Sequence, residues 1–222
     1  MKFKSIFLIL LTTAFSCSQS GTAQSLDKQA LQMKNFDFNT KIQTLLPGHL
    51  KSEDYKGYYQ AKSEMIEVDT IKDGDFMEEK PVRIDYQQRS FSYDDVLAMY
   101  ADFDFNAINL STTTDGNIVM LCAVAAKNSP QDAKSFVAML DQDHGKSKVT
   151  KETFVNKEFD VYTWKLPDRM LRYCLIYDDG KNTLALGGQP KPHYRSYFYV
   201  VKNDHLDKVL NHSMSGDFVY LQ

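Results

Sequence analysis

The chain has 222 residues, 43% of them hydrophobic, and carries 26 Lys and Arg against 29 Asp and Glu, a formal charge of −3. That apolar content supports a real core and excludes overall disorder, while the mild acidity makes nucleic acid a poor partner. The length suits one large domain or two small ones.

Lys2 and Lys4 open the chain, and residues 6–11 follow as an unbroken apolar run. These are the n-region and h-region of a secretory signal peptide. Polar Ser18, Gln19, Ser20, Thr22 and Gln24 interrupt the stretch well short of the ~20 apolar residues that a spanning helix needs. Ala14-Phe15-Ser16-Cys17 resembles the lipobox of bacterial lipoproteins, in which a small residue precedes a cysteine that becomes the acylated N-terminus. The resemblance implies acyl chains such as palmitate on Cys17. With Ser18 after the cysteine, it also implies an outer-membrane anchor facing the periplasm. Ala14 and Phe15 depart from the usual Leu and small residue, which keeps open a cut after Ala23 and a soluble periplasmic or secreted product. The expected organisation is a signal peptide (1–16), a polar tether (17–25) and a single domain (26–222), with a subdivision near residue 90 left open. Losing Lys2 and Lys4 with the signal and no acid lowers the charge from −3 by two, to −5.

In the domain, residues 27–35 and 39–46 read as short helices, the second capped by Asn39 and ended by Pro47-Gly48. Residues 58–68 and 82–89 read as strands around an Asp-Gly turn within 69–75. Ser92 and Asp95 form a capping-box-like start, and Val96, Leu97, Met99, Tyr100 and Phe103 recur at helical spacing. Residues 106–113 and 117–125 flank Asp115-Gly116 as a hairpin. Ser129-Pro130 begins a second amphipathic helix, with Ala133, Phe136, Val137 and Leu140 as its buried stripe and Gly145 as its stop. Strands follow at 159–166, 170–177, 183–186 and 194–202, then a short helix at 203–210 and a closing strand at 217–221. Because the links between strands are short, the pairing should be antiparallel. The expected fold class is α+β, an antiparallel sheet covered on one face by two or three helices.

Signatures of chemistry are sparse. His49, His144, His193, His205 and His212 form no local metal-binding pair, there is no Cys-x-x-Cys, and the acids at 73–79 lack the full ligand order of a calcium loop. No nucleophile elbow, phosphate-binding loop or dinucleotide fingerprint occurs, so neither a metal nor a cofactor is implied and no catalytic residue is assigned. Cys122 and Cys174 sit in apolar runs and read as buried free thiols in preference to a disulfide. Between Lys191 and Tyr199, alternation places His193, Arg195, Tyr197 and Tyr199 on one strand face, with Trp164 on a neighbouring strand. An exposed cation among aromatics can bind a sugar, a peptide strand or a protein, although cross-strand packing explains the same residues more simply.

The leading expectation is a non-catalytic, lipid-anchored envelope protein whose partners are the membrane, through its anchor, and another protein or an envelope component. An immunity-type inhibitor of an imported toxin is one specific form. An envelope hydrolase with dispersed residues is the alternative, and His193, Arg195 and Asp178 gathered in one pocket would favour it.

Overall fold

A computed structural model describes residues 24–73, 79–89, 92, 94–179, 192–211 and 214–221. Cys17, the acids Asp75 and Glu78, residues 183–186 and His212 lie outside them. The first elements are β1 (Leu31–Gln32), α1 (Ile42–Leu45), β2 (Tyr58–Ala61), β3 (Glu64–Asp73) and β4 (Lys80–Gln88). Next come β5 (Ala98–Tyr100), β6 (Phe103–Phe105), β7 (Ala107–Thr112), β8 (Ile118–Asn128) and α2 (Pro130–His144). The last are β9 (Lys148–Phe154), β10 (Lys157–Lys165), β11 (Arg169–Asp178), β12 (His193–Lys202) and α3 (Leu206–Leu210), followed by a 3-10 helix at Gly216–Leu221.

Nine strands form one sheet in the order β2-β3-β4-β7-β8-β12-β11-β10-β9, and every neighbouring pair is antiparallel. Two meanders meet at its centre, where β8 pairs with β12. Between them α2 carries the chain from the centre to the far edge. A small second sheet, β1-β5-β6, adds the one parallel pair among the described strands, Leu31 beside Ala98 and Gln32 beside Met99.

At the centre of the large sheet both faces are buried. Ile108, Leu110, Leu121, Ala123, Tyr173, Phe198 and Val200 face a core closed by Ala133, Phe136 and Leu140 of α2 and by the N-terminal residues Leu26, Leu31, Met33 and Phe36. The other face presents Ala107, Cys122, Val124, Cys174, Tyr197, Tyr199 and Val201 to Val209, Met214, Phe218 and Leu221. A central strand covered twice reads as a near-continuous apolar run, as 118–126 does. Phe218 and Leu221 fit the three-residue turn of a 3-10 helix, so the expected strand at 217–221 is instead a helical cover.

The α+β expectation is therefore corrected. Among the described residues, strand accounts for 49% and helix for 20%, and α2, with 15 residues, is the one long helix. The helical reading from Ser92 to Phe103 fails because Ala98, Tyr100 and the following Phe105 bury as strand residues; Ala101, at φ 51°, turns the chain between β5 and β6. Residues 27–35 form a turn and then β1, which places Leu31 and Met33 inward. The expected strand 58–68 is two strands reversed at Lys62 (φ 56°), and β3 continues to Asp73 through part of the expected turn.

α2 follows its sequence signals. The Ser129 hydroxyl accepts from the Asp132 N–H at 3.0 Å and the Asp132 carboxylate accepts from the Ser129 N–H at 3.3 Å, closing a capping box. Gly145, at φ 83°, ends the helix. Phe136 is 1% exposed and touches five rings: Tyr100, Phe103, Phe105, Tyr173 and Phe198, with centroids 4.4 to 5.8 Å away.

The opposite face holds a polar seam beneath the C-terminal segment. Arg83, 1% exposed, donates from Nε to Asp85 Oδ1 at 3.0 Å and from Nη2 to Oδ2 at 3.1 Å, while Nη1 reaches the Val209 carbonyl at 3.2 Å. Gln87 donates to Ser215 at 2.9 Å and Asn109 to the Asp217 carboxylate at 2.9 Å. A buried polar group without a partner is costly, so these contacts fix where residues 206–211 and 214–221 lie.

Candidate functional site

The alternation expected on β12 is present, and its aromatics pack as the simpler of the two expectations has it, without an exposed recognition face. Tyr197 and Tyr199 are 4% and 0% exposed. The Tyr197 ring lies 4.6 Å from that of Tyr220, and the Tyr199 hydroxyl donates to the Asp217 carbonyl at 2.6 Å. Burial is the main reason that both phenols are pushed well above the usual tyrosine range. Trp164 lies on the opposite face, 2% exposed, and donates from Nε1 to Asp141 at 3.1 Å. The exposed aromatic surface is thus corrected to packing on both sides of the sheet: β12 is a central strand, and the C-terminal segment folds back over the side that alternation alone leaves open.

His193 and Arg195 are only partly buried, at the outer end of β12. Asp178 pairs with His193 across β11 and β12, so the three side chains meet. Arg195 Nε donates to His193 Nε2 at 3.1 Å and lies 3.5 Å from Asp178 Oδ2.

A second site, which sequence reasoning did not single out, lies at the opposite end of β12. The turn after β7, the start of β4, the end of β12 and the start of α3 enclose a cleft of about 690 Å³, within the size range of small-molecule sites. Phe38, Pro81, Val82 and Ile118 supply apolar wall, and Lys202, His205 and Lys208 supply cationic and imidazole groups. The turn is pinned locally. Gly116, at φ 82°, accepts at its carbonyl from the Ile42 N–H at 3.0 Å, and a Cβ there would sit 3.1 Å from the Gln43 side chain.

Asp115 is the acid in the cleft wall. The Thr113 hydroxyl and the Asn117 amide bond its carboxylate, and Lys41 lies 3.8 Å away. Chiefly through the Thr113 bond, these partners hold it below the usual carboxylate range. The lysines contrast with it. The Lys202 and Lys208 ammonium groups make no hydrogen bond or ion pair with any described residue, and among those residues the buried His205 Nδ1 has no hydrogen-bond partner. Desolvation first, and then Lys208 and Lys202, lower the His205 pKa, which favours a neutral ring.

No family model, curated protein or solved structure gives a significant match to the chain.

The sequence signal for the cleft was the spacing of three in Lys202, His205 and Lys208 where a strand passes into a helix, but its other walls come from segments up to 170 positions away in sequence, from Phe38 to Lys208. Elsewhere, Cys122 and Cys174 are free and buried, with burial pushing both thiols up and away from the reactive thiolate. Among the described residues, no group of three His, Cys, Asp or Glu side chains is placed to hold a metal ion. No described helix is long and apolar enough to cross a membrane.

Proposed function

We propose that this chain is a non-catalytic binding protein of the bacterial cell envelope, anchored through an acylated Cys17 and facing the periplasm, that recognises an envelope component or another protein. The observation that carries the reading is the cleft lined by residues 38–39, 81–82, 113–115, 117–118, 202, 205 and 208: a preformed concavity with apolar wall residues and two lysines that are unpaired among the described residues. Immunity-type inhibition of an imported toxin is the specific form in which the partner is a protein.

A second reading, an envelope hydrolase, draws on the meeting of Asp178, His193 and Arg195. The two readings part experimentally. The purified chain, incubated with solubilised envelope, should retain one component at a stoichiometric level and should turn over none of a panel of ester, glycoside, peptide and phosphoester substrates. Turnover abolished by His193→Ala would replace the binding reading with the hydrolytic one, and retention of no component would remove it.

A further inference from the structure

We infer that the cleft beside Lys202 and Lys208 binds a phosphorylated small molecule, its phosphate held by the two lysines and its carbon portion lying along the side formed by Pro81 and Val82. The inference rests on the binding-protein reading and names the ligand class for its site. Three observations support it. First, in a chain with formal charge −3, two ammonium groups lining one cleft have no carboxylate partner among the described residues. Lysine is a point-charge donor well suited to phosphate oxygens, and two of them match a dianion better than a single carboxylate. Second, the wall's own acid bonds Thr113 and Asn117 and faces Lys41, and it forms no ion pair with Lys202 or Lys208. Third, His205, which lines the cleft with them, keeps a buried Nδ1 without a hydrogen-bond partner among the described residues, a buried polar group that the protein itself leaves unsatisfied. The cleft, at about 690 Å³, exceeds what an inorganic phosphate fills, and its apolar wall gives the rest of the ligand a surface to cover.

The test uses the chain from Gln24 onward, which contains every described element and no acyl anchor. Calorimetric titration with glycerol 3-phosphate and inorganic phosphate at low ionic strength should show saturable binding at one site, tighter for the organic ester. Lys202→Gln with Lys208→Gln should weaken it at least ~10-fold, while Lys148→Gln with Lys165→Gln, the same charge removed from exposed positions near the far edge of the sheet, should leave it unchanged. Retention on phosphatidylglycerol vesicles but not phosphatidylcholine vesicles, competed by glycerol 3-phosphate, would identify a lipid headgroup as the source. Soluble binding without vesicle retention would identify a free phosphorylated compound, and either result supports the assignment. Absence of phosphate binding overturns it, as does equal weakening in the two double variants, which would reduce the effect to bulk charge. Capture of an envelope component equally by the wild type and the Lys202/Lys208 variant would overturn this inference while leaving the binding-protein reading intact. Capture by neither would remove both.

Discussion

Phe136 and Arg83 each sit where one side chain decides the packing of a whole face. Phe136 fills the space between α2 and the sheet against five rings, so truncation leaves a cavity that neighbouring aromatics cannot collapse into. Phe136→Ala is expected to lower the unfolding free energy by about 3–5 kcal/mol, read by chemical denaturation. A loss below about 1 kcal/mol would mean that the ring is not a core element. Arg83 and Asp85 are 1% and 0% exposed, and each satisfies the other. Asp85→Ala strands a buried guanidinium and should cost about 3–5 kcal/mol. Replacing both, Arg83→Met with Asp85→Leu, should recover most of that loss, since no charge then remains buried. A double variant as unstable as Asp85→Ala would instead show that the pair is required for the position of residues 206–211 and 214–221.

At the scale of elements, β9 and the C-terminal cover show how local signals mislead. β9 is an edge strand, exposed at alternate positions and turned into β10 by Val155 and Asn156, both at positive φ (48° and 63°). Asn suits that conformation and a β-branched Val does not, so the usual Asn-Gly signature is missing and the strand escapes notice. The cover over the opposite sheet face is held partly by Asp217, whose carboxylate is bonded by Asn109. Burial raises its pKa above the ordinary 3.8, and Asn109, Arg195 and Arg89 oppose that shift. A carboxyl with a raised folded-state pKa contributes stability that is fully present below 3.8 and is lost as pH climbs through the raised value. Asp217→Asn keeps an acceptor for Asn109 and removes the charge. It should therefore be more stable than the wild type at pH 7, with the difference shrinking as pH falls toward 4. Urea midpoints of the two proteins across that range decide it; a difference that widens on acidification would contradict the sign.

For the molecule as a whole, the proposed address and the fold can be tested separately. The described chain begins at Gln24, and Leu26 is already fully buried, with its N–H donating to the Leu45 carbonyl at 3.0 Å. A polar tether of this composition between Cys17 and Leu26 would let an anchored domain move relative to the bilayer. Cys17→Ala should move the protein out of the membrane fraction without changing the thermal unfolding of the domain, because several acyl chains at about 0.8 kcal/mol per methylene would otherwise hold it there. Persistent membrane association, with a mature N-terminus at Gln24, would favour the cut after Ala23 and leave another attachment to find.

Sequence alone placed the elements whose signals are complete within a few residues: α2 between its Ser129 box and Gly145, the β7–β8 hairpin around Asp115-Gly116, and β12 with its alternation. Cys122 and Cys174 were legible as buried thiols for the same reason, because an apolar run advertises burial whatever covers it. Tertiary structure decided the rest. Helical spacing in residues 96–103 yielded to pairing between β5 and β1, some 67 positions apart. Alternation on β12 could not reveal that residues 206–211 and 214–221 return to cover Tyr197 and Tyr199. That Lys202 and Lys208 line one cleft with β4, the β7–β8 turn and Phe38 is likewise a product of tertiary structure. The physical reason is one of range. Propensity, capping and turn chemistry act over a few bonds, whereas the burial of a face or the isolation of a charge depends on segments that meet only in the folded chain.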